Sequence, residues 1–191
     1  MTHNKNSRIP TGQTVTNACA VVDFCPQKVD PHCIWITAGG NSIKYPGKLL
    51  TRTANLTTFK LMWNSVLSTK DAKYMCLDIK NFYLSAPLNQ YKYMKMTLAL
   101  FLEWIIMQYN LDKLALNGFV YLEMHHTVWG LPQAGILANK LLWKSLLPHG
   151  YFKCPNTPGL WKHSMCPILF TLVMENFGVK YVSKGKEHIN H

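Results

Sequence analysis

The stretch FTLVMENFGVKYV, Phe170 to Val182, constrains the fold more than any other part of this 191-residue chain. Two runs of strand-forming residues are separated only by an acid and an amide, Glu175 and Asn176. Apolar, β-branched and aromatic side chains favour a pleated, half-buried surface, and so short a polar break leaves room only for a tight turn. The pattern predicts a β-hairpin with a polar tip. The tip is either a solvated turn or half of a metal site with reduced charge.

Other segments can be read in the same way. Residues 1–20 are polar and aperiodic, which predicts a flexible arm. ACAVVDFCPQKVDPHCIWITAGGNSIKYPG alternates short β-prone runs with Pro26, Pro31, Gly39-Gly40 and Pro46-Gly47, so strands and turns are expected. LTTFKLMWNSVLS places Phe59, Met62 or Trp63, and Val66 at helical spacing. KYMCLDIKNFYLSAPL alternates, with Tyr74, Cys76 and Asp78 on one face and Met75, Leu77 and Ile79 on the other, so Asp78 closes a strand that reads as buried. LALFLEWIIMQYN fits a helix, GFVYLEM a strand, and LPQAGILANKLLWKSLLPHG a helix stopped by Pro148 and Gly150. Segments in this order favour an α+β fold with a largely antiparallel sheet packed on helices.

Twenty Lys and Arg against nine Asp and Glu give a net charge of +11, which suits a polyanionic partner such as nucleic acid or an anionic membrane surface. No apolar run approaches the roughly twenty residues that span a bilayer; the longest, LALFLEWII, carries Glu103. A transmembrane role is therefore disfavoured. The polar amino terminus lacks the apolar core of a signal peptide, and a cytoplasmic or nuclear protein is expected. The six cysteines then read as free thiols. Cys154, His163 and Cys166 form the one set that could gather round zinc, against the usual four ligands at closer paired spacings.

Phosphoryl transfer by a two-metal route needs carboxylates that hold two cations about 3.5–4 Å apart. Asp78 and Glu175 could supply them if adjacent strands bring their ends together, although an acid at a strand end is more often capping or solvated. Three motifs bear on this choice. LDIKNFYLSAPL resembles the first catalytic motif of reverse transcriptases, an aspartate followed five residues later by an aromatic residue and then a Ser-x-Pro turn, here Asp78, Tyr83, Ser85 and Pro87. VWGLPQAGILANKLL resembles the second motif of copia-type and related retrotransposon enzymes. FTLVMENFGVKYV occupies the place of the third, an Asp-Asp pair between apolar runs. The ordered set, covering about residues 20 to 185, resembles the fingers and palm of an LTR-retrotransposon reverse transcriptase.

That resemblance implies a right-hand polymerase segment over 21–185, truncated before the thumb, with a frayed tail over 186–191. It implies Mg²⁺, or Mn²⁺, held by Asp78 and Glu175, with Asn176 as the third catalytic position and the carbonyl of Ile79 assisting. Tyr83 would pack under the incoming sugar and exclude a 2′-hydroxyl by bulk. Gln133, exposed by the Gly130–Gly135 turn, would touch the nucleotide or template. Gly130, Pro132, Lys140 and Lys144 would meet nucleic acid, the two lysines also reading as a solvated helix face. The implied partners are an RNA template, a DNA primer and deoxynucleotide triphosphates, with further carboxy-terminal domains in an intact element.

The chain departs from the family pattern at chemically important positions. Glu175 and Asn176 stand where two aspartates belong: glutamate sets its carboxylate one methylene further out, and asparagine loses the charge. Cys33 and Trp35 stand near positions where basic side chains would grip a triphosphate. His125, His126, Trp143 and Cys166 also replace expected arginines, each change being one transition from an arginine codon. The sequence thus reads as an RNA-directed DNA polymerase domain with impaired or absent activity. The alternative is a non-catalytic, basic nucleic-acid-binding remnant of a decayed element.

Overall fold

The computed structural model describes Ile9 and residues 12–27, 29–47 and 51–182. Its strands and helices run, in chain order, β1 (Val15–Phe24), β2 (His32–Ala38), α1 (Leu56–Leu67), β3 (Ala72–Asp78), β4 (Pro87–Thr97), α2 (Glu103–Tyr109), α3 (Leu111–Leu114), β5 (Phe119–His126), α4 (Ala134–Leu146), β6 (Tyr151–Lys153), β7 (Leu160–His163), β8 (Ile168–Val173) and β9 (Asn176–Val182). The fold is mixed α+β. It forms two compact units, one within Met1–Leu49 and Tyr83–Leu137, the other within Leu50–Phe82 and Ala138–His191. The segment read as 21–185 contributes to both. The expected arm over 1–20 is corrected from Val15 onward, where the chain is already β1; residues 1–8, 10, 11 and the tail over 186–191 lie outside the described residues.

The first unit is built on a four-stranded sheet ordered β2-β1-β4-β5. β1 pairs antiparallel with β2 and parallel with β4, and β4 pairs antiparallel with β5. Met94 and Met96 on β4 and Val120 and Met124 on β5 point inward, and alternate residues Tyr93, Lys95, Tyr121 and Glu123 take the other face. β4 is absent from the sequence reading because its pairing is irregular between Pro87 and Lys92, which breaks the alternation. The core gathers Ala38, Ile43, Leu88, Met94, Met124, Leu131 and Ala134. The helix expected from Leu98 is shorter: Leu98–Leu100 forms a 3₁₀ turn, Phe101 and Leu102 are extended, and α2 starts at Glu103.

The second unit holds a five-stranded sheet ordered β3-β9-β8-β7-β6, antiparallel throughout. Period-2 alternation gives it two different faces. Met75, Phe177, Val179, Phe170, Leu172, Ile168, Trp161 and Tyr151 share one apolar cluster, against which Leu142 and Leu146 of α4 pack. Trp161 and Phe170 stack there with centroids 5.4 Å apart. On the other face lies α1, started by Asn55, whose side chain accepts the Thr58 N–H at 2.7 Å. Trp63 and Phe59 meet the Tyr74 ring edge-on, at 4.5 and 6.3 Å. Gly178 makes room for this contact, since a Cβ on it would lie 2.3 Å from the Tyr74 hydroxyl. Burial is the main reason the Tyr74 phenol is pushed up to about 12, with the Cys76 thiol adding to it.

Among the described residues no helix is long and apolar enough to cross a membrane. None of the six cysteines is joined in a disulfide.

One close approach sets the geometry of the first unit. The Ala38 N–H donates to the Trp129 carbonyl at 2.7 Å, and Gly130, at φ +89°, follows directly. A Cβ at Gly130 would lie 2.0 Å from the Ala38 carbonyl oxygen. Gly130→Ala is therefore expected to destabilise the first unit by roughly 2–4 kcal/mol, from left-handed backbone strain together with the clash. Chemical denaturation of the variant beside the parent checks this, and an unchanged midpoint would refute the packing described.

Candidate functional site

The end of β3 meets the start of β9. Their antiparallel register pairs Cys76 with Gly178, Leu77 with Phe177, and Asp78 with Asn176. Directly paired residues project to the same face, so Asp78 and Asn176 stand side by side. The strand end is exposed from Cys76 to Asp78 rather than buried as the alternation suggested, because β3 is an edge strand.

β8 and β9 are joined through the pair Val173–Asn176, so the loop consists of Met174 and Glu175. This corrects the tip read from sequence: Asn176 is already the first residue of β9. Met174 takes φ +56°. That fits a type II′ turn, which needs a left-handed first residue and ordinarily uses glycine. A long side chain held there is strained, a condition that clusters at functional sites. Nothing in the sequence signals it, since methionine is not a turn residue. The Ile79 N–H donates to the Glu175 carbonyl at 3.2 Å, which ties the loop to the chain just beyond Asp78.

Glu175 is half-buried, and its carboxyl is raised above the usual range, first by burial and second by the charge of Asp78. Two carboxylates that repel one another, beside an amide oxygen, make a hard-oxygen donor set that suits Mg²⁺ or Mn²⁺ completed by water. The set is sparse. Among the described residues no group of three or more His, Cys, Asp and Glu could hold a metal ion. The Ile79 carbonyl accepts the Phe82 N–H at 3.2 Å, leaving one lone pair for any further role.

No protein-family model, characterised protein or solved structure matches this chain. The chemistry of the site therefore follows from its own residues.

The remaining sequence-derived positions are divided between the two units. Asp78, Ile79, Glu175 and Asn176 belong to the second unit, whereas Tyr83, Gly130, Pro132 and Gln133 belong to the first. Tyr83 is half-buried against the first unit's core, and its carbonyl accepts the Thr127 hydroxyl. Gln133 is not exposed: it is 2% accessible, with Oε1 unpartnered, because Leu131 and Ala134 on either side are drawn into the core. Gly130 and Pro132 line that same inward loop, where Gly130 fits against Ala38. Lys140 and Lys144 are exposed on the part of α4 that belongs to the second unit. Cys33 and Trp35 lie on β2, both half-buried. Of the suggested zinc trio, His163 uses Nδ1 to accept the N–H groups of Met165 and Cys166, at 3.1 and 2.9 Å, which makes it the staple of a turn.

Because the Glu175 carboxyl is raised in the fold, the stability tied to its protonated form is fully present below about pH 4.5 and is lost as pH rises through the folded value. Glu175→Gln should therefore stabilise the chain by about 0.5 kcal/mol at pH 7 and leave it unchanged at pH 4. In a carboxyl NMR titration, Asp78→Asn should lower the Glu175 midpoint only in part, burial being the larger cause. Loss of stability in Glu175→Gln at pH 7 would contradict this electrostatic description.

Proposed function

We propose that this chain is the fingers-and-palm portion of an LTR-retrotransposon reverse transcriptase whose metal site is impaired. The observation that carries the reading is the juxtaposition of Asp78 with Asn176 and the Glu175 loop, from motifs nearly a hundred residues apart in sequence. Three motifs in the family's order support it, as does a net charge of +11 suited to RNA and DNA.

Bound Mg²⁺ would supply charge neutralisation at the attacking and leaving oxygens of phosphoryl transfer. Asp78 and Glu175 would hold it. Asp78 projects from a regular strand end and Glu175 from a backbone position held by Ile79, so their repulsion is available to be relieved by a cation. Asn176 offers a dipole where a third charge belongs. Mg²⁺ demands near-ideal octahedral ligand placement, so the extra methylene of Glu175 and the neutral Asn176 both weaken binding. An RNA template, a DNA primer and deoxynucleotide triphosphates are the substrates in this reading.

The missing charge at Asn176 favours a second reading, a non-catalytic nucleic-acid-binding remnant in which only the basic surface still acts. Metal titration and primer extension separate the two. The double variant Glu175→Asp, Asn176→Asp should bind Mn²⁺ about tenfold more tightly than the parent, because ligand charge tunes affinity, and Asp78→Asn should abolish the gain. The parent chain is expected to give no Mg²⁺-dependent extension of a primed RNA. Robust extension would overturn the impaired site. Unchanged Mn²⁺ affinity in the double variant would remove the metal reading and leave the remnant.

A further inference from the structure

The second unit carries a second chemical feature, on the side of its sheet away from β3. Lys153, at the end of β6, donates from its ammonium to Asn139 Oδ1 on α4. The same ammonium lies 5.6 Å from the ring centroid of Trp143 and 5.0 Å from that of Trp161. Trp161 is buried, but Trp143 is 45% exposed. With 100° of rotation per residue, Leu142 and Leu146 face the core, Asn139 and Trp143 turn toward β6, and Lys140 and Lys144 take the adjoining solvent side. An accessible indole thus has one ammonium, that of Lys153, over its ring, and two exposed lysines, Lys140 and Lys144, on the adjoining side of the same helix. Partial burial lowers the Lys153 pKa.

The described acids of this unit are confined to one side of its sheet. Its described acids are Asp71, Asp78 and Glu175, at the two ends of β3 and in the β8–β9 loop. β3 and β6 are opposite edges of the sheet, four strand spacings or roughly 19 Å apart. No described acid of the unit lies on α4, β6 or β7 to neutralise the lysines. Anions are drawn to such a surface, and the indole narrows their class, because a flat ring beside cations binds a strand whose bases are free to stack. A duplex hides its base faces and would use the lysines alone.

We propose that Lys140, Trp143, Lys144 and Lys153 form a seat for single-stranded nucleic acid, the lysines meeting successive phosphates while a base stacks on Trp143. Asn139 is a positioning residue that holds Lys153 beside the ring. The seat extends the partner class of the proposed function, but it requires no metal and no catalysis.

The test is fluorescence anisotropy of a labelled single strand of about twelve nucleotides, RNA and DNA in turn, titrated with the full chain in EDTA across a salt series. Trp143→Ala should weaken binding about tenfold, the worth of one stacked base, while Trp143→Phe keeps most of the affinity. Lys140→Ala with Lys144→Ala should reduce the slope of log affinity against log salt by about 1.4, near 0.7 for each phosphate no longer neutralised. Circular dichroism confirms that each variant is folded, and if Trp143→Ala is not, the lysine pair and Trp143→Phe still decide the matter. Lys60→Ala with Lys73→Ala, the same charge change on α1 and β3, should have a smaller effect. Equal losses from the two lysine pairs, or equally tight binding of poly-glutamate or duplex, would overturn the seat in favour of diffuse charge attraction. Because EDTA is present, failure here is distinct from failure of the Asp78–Glu175 metal site.

Discussion

The antiparallel register of β3 against β9 is the constraint on which the second unit depends. Seven consecutive pairs, Ala72–Val182 to Asp78–Asn176, set which residues meet across it. A slip of one residue would exchange the two faces of the strand. With β9 held by β8, the edge strand β3 would turn over: Met75 would leave the apolar cluster and Tyr74 would leave the space that Gly178 provides beneath α1. The same slip would separate Asp78 from Asn176. Hydrophobic burial therefore holds the polar end of the pair in place, although none of that energy comes from the polar residues themselves.

The face under α1 is secured differently. Lys180, opposite Tyr74 on β9, is only 8% exposed, and its ammonium donates to the Ser65 carbonyl at 2.8 Å, the Ser65 hydroxyl at 3.1 Å and the Thr69 hydroxyl at 2.8 Å. Three neutral oxygens match the three donors of an ammonium. The charge also lies at the carboxy-terminal end of α1, where the helix dipole favours a cation. These bonds join helix and sheet at a defined angle and place the far end of β9 as firmly as the Ile79–Glu175 bond places its near end.

The two ends of the sheet also differ in charge in a way that suits a polyanion bound near cations. Acids occupy the β3 ends and the β8–β9 loop, where burial first and the charge of Asp78 second raise the Glu175 carboxyl. Lysines lie on both sides, but those of α4 and the β6 edge have no described acid of the unit beside them, and an indole partly shields Lys153.

Sequence alone determined the elements whose patterns are long and unbroken. The hairpin, α1 and α4 were legible from apolar spacing and, for α4, from the Pro148–Gly150 stop; the Asn55 cap of α1 came only with the structure. Composition alone determined the excess of positive charge and the scarcity of acids around any metal site. Tertiary structure decided the rest. β4 escaped detection because a register irregularity breaks its alternation, and residues 15–20 read as an arm because their strand pairs with partners distant in the chain. Gln133 read as exposed because a Gly-Leu-Pro-Gln turn looks polar until its neighbours Leu131 and Ala134 are seen in a core. The loop residue at Met174 and the Asn139–Trp143–Lys153 cluster have no local signature at all. Both exist because strand pairing and helix packing bring together backbone and side chains that sequence spacing leaves apart, and only the folded chain settles that arrangement.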